Sequence, residues 1–318
     1  MVYYFSGGLT RDMINCLKNM PGYEPIDVLV SQLDRTSIKQ MIEYQEEGVV
    51  RQLFIDSGAY SAHTKGVELD VDEYIGFVNS IDDHIHAIAQ VDTIPGRLDQ
   101  PKTPEDYIEG ARLSWENFLY MYPKLKSPEK LIPVFHSGES FDNLLNMINW
   151  KDENGKPLSY IGIAPAKDIH QGLKNIYMRD VYDVIAKSNN PNIRTHLFGM
   201  TSLDALSKYP TYSADSTSHR HMGAYNKILI PGWGVISISK RTRNRKSKSN
   251  ISFCDAADDM AMKEIEDYIE SLGCTLEDAR NSPSIRTAIS MYSIMKIIKE
   301  NPYKPTNVAK PKKLFDIK

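Results

Sequence analysis

Residues 52–63 read QLFIDSGAYSAH. A short apolar, β-prone run ends on a carboxylate, Asp56, and breaks at once into Ser57-Gly58, which is how a buried parallel strand and the turn after it look in sequence. The arrangement recurs downstream in IAQVDTIPG (88–96), IPVFHSGE (132–139), YIGIAPAK (160–167), HLFGMTS (196–202) and TYSADSTS (211–218). Eight such runs can be counted, at 2–6, 27–31, 52–56, 86–92, 131–136, 160–163, 195–198 and 211–215. Stretches of helical periodicity separate them, at 37–45, 71–78, 104–121, 141–150, 172–186 and 202–208. Strands alternating with helices predict a parallel sheet with crossover helices. Eight units predict an α/β fold of the (β/α)8 TIM type, for which about 250 residues is usual. An open doubly wound sheet is the alternative, but no GxGxxG follows an early strand, so dinucleotide binding has no support.

The pattern changes after Tyr225. Residues 227–239 predict a hairpin around Pro231-Gly232, and 240–248 hold six basic residues, Lys240, Arg241, Arg243, Arg245, Lys246 and Lys248. Amphipathic helices are expected at 256–272 and 283–300, the second with Ile289, Ile294 and Ile297 facing the core. The chain thus divides into a catalytic barrel (1–225), an extension of hairpin, basic loop and helices (226–301), and a Lys- and Pro-rich tail (302–318) expected to be poorly ordered.

With 318 residues, 41% hydrophobic and 25% charged, the chain can build a large core, which excludes disorder as its main character. Lys and Arg total 38 against 41 Asp and Glu, a formal charge of −3, so contact with nucleic acid must come from a local basic patch. Three scattered cysteines, Cys16, Cys254 and Cys274, suit a reducing compartment such as the cytoplasm. No run approaches the about 18 apolar residues of a membrane span, and the start MVYYFSGGLTRD lacks signal-peptide features. A soluble, unexported protein is expected.

Catalytic groups of a β/α barrel lie at the carboxyl ends of its strands. Asp56, Asp92, His136 and Asp215 close their runs there, and Gly58, Gly138, Gly162 and Gly199 leave room for a flat ligand. A strand-end aspartate can instead cap the next helix. Behind Asp215, however, Ser-Thr-Ser could do the capping and leave that carboxylate free. Two carboxylates facing one ligand can divide substitution at a sugar C1′ between a nucleophile and a proton carrier. A third suits the donor edge of a guanine-like base, since an ionised Asp accepts from both N1–H and the exocyclic amine.

These residues resemble a known family. Asp56-Ser57-Gly58-Ala59-Tyr60 is similar to the Asp-Ser-Gly-Gly-Phe motif of the tRNA-guanine transglycosylases, and the later motifs follow in the same order over residues 1–225. Asp-Ser-Gly-Ala-aromatic-Ser with the downstream Asp-Ser-Thr-Ser looks most like the phage-type members that place 7-deazaguanine bases in DNA. The resemblance implies Asp215 as nucleophile on C1′ and Asp56 as general acid/base. It implies Asp92 as reader of the base edge. His136, Ser137 and Gly138 stand where the family has a Gln-Gly pair that binds the base carbonyl, and Gly162 matches a backbone donor to that carbonyl. Tyr60 and Phe198, the latter followed by Gly199, match the side chains that sandwich the base.

The tRNA enzymes carry a Cys-x-Cys-x-x-Cys…His zinc site after the nucleophile, and this sequence has no such motif. No cofactor is therefore expected; a substitute zinc site could draw only on His219, His221 and one of Cys254 or Cys274. His196, inside an apolar strand, reads as a satisfied core histidine. The missing zinc region and the short basic extension favour DNA over tRNA as partner, with the 240–248 cations on phosphates and Trp233 beside them. A guanine in a duplex would have to be flipped out of the stack to reach strand-end carboxylates. Two other classes fit the same rim: a metal-dependent hydrolase of small molecules, for which a second rim histidine is missing, and a binding module without activity.

Overall fold

The computed structural model describes residues 1–97, 100–166, 170–199, 206, 208–239 and 257–300. Strands and helices alternate as the runs predict: β1 (Val2–Ser6), α1 (Arg11–Lys18), β2 (Ile26–Ser31), α2 (Arg35–Glu46), β3 (Val50–Asp56), α3 (Ala59–Lys65), α4 (Val71–Ser80), β4 (Ile85–Ala89) and α5 (Pro104–Met121). They continue with β5 (Leu131–Ile132), β6 (Val134–His136), α6 (Phe141–Asn149), β7 (Tyr160–Ala164), α7 (Gln171–Lys187), β8 (Arg194–Leu197) and β9 (Ser213–Ser216). Neighbouring strands pair in the order β5-β4-β3-β2-β1-β9-β8-β7-β6, all parallel.

The expected strand 131–136 is split at Pro133, which has no N–H to give a ladder. Its first half bonds to β4 and its second to β7. Gly162 N–H donates to Pro133 O at 2.8 Å, so one stretch of chain joins both ends of the sheet and completes a ring of eight strand positions. The fold is the TIM-type barrel that the sequence predicts.

Strand alternation sorts the core into two layers. Tyr4, Leu29, Phe54, Ala87, Ala89, Ile132 and Tyr160 fill the barrel. Val28, Leu53, Ile55, Ile88, Phe135, Ile161, Ile163, Leu197 and Ala214 face the helices. Each large side chain of either layer stabilises the fold by roughly 1.5–3 kcal/mol through burial. Helix α5 starts where its signals say: Thr103 and Asp106 form a reciprocal capping box around Pro104, and Phe118 and Met121 face inward. Helix α3 has no such signal. Its N-cap is Gly58, at φ 75° and with no side-chain cap bond.

Beyond the barrel lie α8 (Ser218–Ala224), the antiparallel pair β10 (Lys227–Ile230) and β11 (Gly234–Ser237), α9 (Asp259–Ser271), α10 (Leu276–Asn281) and α11 (Pro283–Glu300). Helix α11 packs against α1, α8 and β10, with Ile289 and Ile294 buried and Ile297 partly so. Its Arg286 is 4% exposed, and the guanidinium donates to the carbonyls of Gly223, Ala279 and Arg280, which offsets the cost of burying the charge. The expected 202–208 helix lies largely outside the described residues, and 240–248, Cys254 and the 302–318 tail lie outside them entirely. No helix among the described residues is long and apolar enough to cross a membrane.

Candidate active site

The last inward position of each strand faces the open carboxyl end of the barrel. Register places Ser31 beside Asp56 and His136 beside Ala164, while Asp215 pairs with the interior residue Tyr4. Asp92 follows β4 and Phe198 follows β8. Around the eight-position ring Asp215 stands four steps from Asp92, on the far side of the mouth, and three from Asp56.

Asp215 is only 7% exposed. Among the described residues two donors and a histidine ring nitrogen, from β1 and from the end of β8, hold its carboxylate. Ser6 Oγ donates to Oδ2 at 2.5 Å, Gly199 N–H donates to Oδ1 at 2.8 Å, and His196 Nε2 lies 3.3 Å from Oδ1. They orient the carboxylate. It does not cap α8, where Ser216 Oγ takes the Ser218 N–H at 3.0 Å in its place. Gly199 is thus more than a space-maker: at φ 62° its N–H turns onto the carboxylate.

Across the mouth, Asp92 Oδ1 accepts from Gln90 Nε2 at 2.7 Å, and Oδ2 lies 3.2 Å from His136 Nε2. His136 Nδ1 is 2.9 Å from Glu139 Oε1, which also accepts the His136 backbone N–H at 3.0 Å. Burial by itself would lower the histidine pKa. Asp92 and Glu139 outweigh it and hold the ring's pKa up at about 10, so His136 is a cation between two carboxylates. Both its ring nitrogens face these partners, so in this arrangement the ring supports Asp92.

Asp56 does share in local capping, since Oδ2 accepts the Gly58 N–H at 3.0 Å. Gly58 is required there: a Cβ would lie 2.5 Å from Ser31 Oγ and 2.8 Å from Leu33 Cγ, at a φ that already disfavours one. Beneath it Tyr74 donates to the carbonyls of Ile55 and Ala89, and burial, with Asp56 and Asp92 close by, pushes its phenol pKa well up.

Gly162 gives space only. Its N–H is spent on Pro133 O in the ladder, and a Cβ would meet Phe198 Cε2 at 2.6 Å, so the Phe198 ring lies across the glycine. Ser137 N–H is likewise committed, to Ala164 O, and Gly138 at φ 101° packs on the Tyr107 ring. Tyr60 stands half-exposed in the first turn of α3. β3 and β8 are four positions apart in the ring, so Tyr60 and Phe198 come from opposite sides of the mouth.

Of the candidate zinc ligands the two histidines point apart, and Cys254 lies outside the described residues. His219 and His221 are two apart on α8, about 200° around a helix. His219 is fully buried against Phe5, and burial brings its pKa down to about 3; His221 stacks on Tyr225. Among the described residues no group of three or more His, Cys, Asp or Glu side chains could hold a metal ion. The six basic residues at 240–248 lie outside the described residues.

Four further residues, outside the strand-end pattern, belong to the site. Ser6 and His196 touch Asp215, while Gln90 and Glu139 flank the Asp92–His136 pair. No protein-family model matches the chain, and no curated protein matches it.

Proposed function

We propose that the protein is a pentosyltransferase of the guanine-transglycosylase type, exchanging guanine in nucleic acid, DNA in preference to tRNA, for a 7-deazaguanine base. The observation that supports this most is the placement of Asp215 and Asp92 on opposite sides of one mouth with Asp56 between them in ring order. A purine carries its sugar on N9 and its N1–H and exocyclic amine at the other end. A base lying across the mouth therefore puts C1′ at one carboxylate and its donor edge at the other. Phe198 follows β8 and Tyr60 follows β3, four positions apart in the ring, and in this reading they stack on its two faces.

The steps balance without a co-reactant. Asp215 attacks C1′ as the C1′–N9 bond breaks, and the electron pair leaves on N9, which takes a proton from the Asp56 carboxyl. Guanine departs and the 7-deazaguanine enters. The Asp56 carboxylate removes the N9 proton of the incoming base, N9 attacks C1′, and the C1′–O bond to Asp215 breaks with its electrons returning to the carboxylate. Asp92 reads the base edge in both directions, held in place by Gln90 and His136.

The test is incubation with DNA or with tRNA and a labelled 7-deazaguanine. Label in DNA that is lost on Asp215→Asn supports the reading; label in tRNA alone reassigns the polymer. Label in neither, with guanine also not released, overturns it.

A further inference from the structure

His196 is fully buried in the barrel, ringed by Phe54, Tyr4, Tyr160 and Phe198 at centroid distances of 4.8, 5.8, 6.4 and 4.4 Å. An imidazole in that setting needs both nitrogens satisfied. Nε2 faces Asp215 Oδ1, while Nδ1 lies 2.7 Å from Ser213 Oγ, and Ser213 Oγ in turn is hydrogen-bonded to the Tyr160 hydroxyl. A polar line, Tyr160–Ser213–His196–Asp215, therefore runs up the inside of the barrel to the rim.

A proton order follows from the Asp215 end, where a carboxylate can only accept. A neutral His196 then carries its proton on Nε2 and donates to Asp215, its Nδ1 accepts from Ser213 Oγ, and Ser213 Oγ accepts from the Tyr160 hydroxyl, whose proton burial holds by raising the phenol pKa. We propose that His196, locked by Ser213 and Tyr160 in its Nε2–H form, is the positioning residue that aims the Asp215 carboxylate. This rests on the nucleophilic role given to Asp215 above. With Gly199 it holds Oδ1, while Ser6 holds Oδ2.

Two substitutions separate aim from mere packing. In His196→Gln the side-chain amide reaches the position of Nε2 and keeps a donor for Asp215. In His196→Asn the amide reaches only as far as Nδ1 and leaves that donor missing. The expected result is a turnover loss of roughly 10–100-fold for Asn, the scale known for partners that orient metal-ligating side chains, with KM little changed and the Gln variant within about threefold of wild type. Equal turnover of folded Asn and Gln variants, or a loss confined to KM, overturns the proposal. Nitrogen-15 NMR of the histidine rings reads the proton without any substrate: a proton on Nε2 of His196 is expected, and a proton on Nδ1 alone contradicts it. If the wild type transfers no base to either polymer, the functional reading fails, and the NMR result still upholds or overturns the placement of His196.

Discussion

His136 Nε2 lies 3.2 Å from Asp92 Oδ2 while the other ring nitrogen is held 2.9 Å from Glu139, so the carboxylate that faces the mouth is backed by a buried cation. The folded-state pKa of about 10 exceeds the ~6.5 of an unfolded histidine. The stability this arrangement contributes is therefore fully present below about pH 6.5 and is lost as the pH rises through about 10. Urea unfolding of wild type and His136→Gln between pH 6 and pH 10.5 should show a gap of about 1.5–3 kcal/mol at the acid end, the range for hydrogen bonds to charged groups. The gap should close toward the alkaline end. A gap that is constant with pH would mean that His136 is neutral in the fold.

Asp92→Ala is expected to relax base selection more than it weakens polymer binding. A carboxylate that accepts two donors discriminates strongly against a base lacking one of them. Exchange rates for guanine and for hypoxanthine, which has no exocyclic amine, should converge in the variant. An unchanged ratio would remove Asp92 from base reading.

Gly162→Ala tests the mouth sterically. The new methyl would fall 2.6 Å from Phe198 Cε2, in a site walled also by Val134. The ring must swing aside, at a typical overpacking cost of about 1–3 kcal/mol. Base exchange should drop by at least about tenfold while the melting curve stays cooperative, and Phe198→Ala in the same background should recover part of the stability. Wild-type activity in Gly162→Ala would show that the base does not lie against Phe198.

The strand ends were legible because period-two burial and a terminal polar residue are local signals; Asp56, Asp92, His136 and Asp215 all reach the mouth on that basis. Their supports were not. Ser6 meets Asp215 across 209 residues of sequence, a contact made only by β1 pairing with β9. His196 sits in an apolar strand and looks like filler until β8 and β9 are laid side by side. Glu139 was within reach, three residues after His136 in the same turn, where a carboxylate beside a histidine is a signal in itself. Helix α3 went unforeseen because its N-cap is a left-handed glycine, which has no side chain to signal a start.

Neutralising Arg241, Arg243 and Arg245 together should weaken binding to all nucleic-acid sequences alike. The slope of log K against log [salt] should flatten by about 2–3, at roughly 0.7–0.9 per phosphate contact. A salt titration of DNA and tRNA binding by both proteins decides this. Identical slopes would place the polymer on another surface.

In the proposed reaction Asp215 bonds to the sugar C1′. Mass spectrometry of the protein, quenched with acid after incubation with guanine-containing DNA and no incoming base, detects that bond. The expected result is a protein–DNA adduct that has lost guanine, maps to the peptide containing Asp215, and is missing in Asp215→Asn but present in Asp56→Asn, if formed more slowly. An adduct on any other residue, or exchange by Asp215→Asn within about tenfold of wild type, would contradict it.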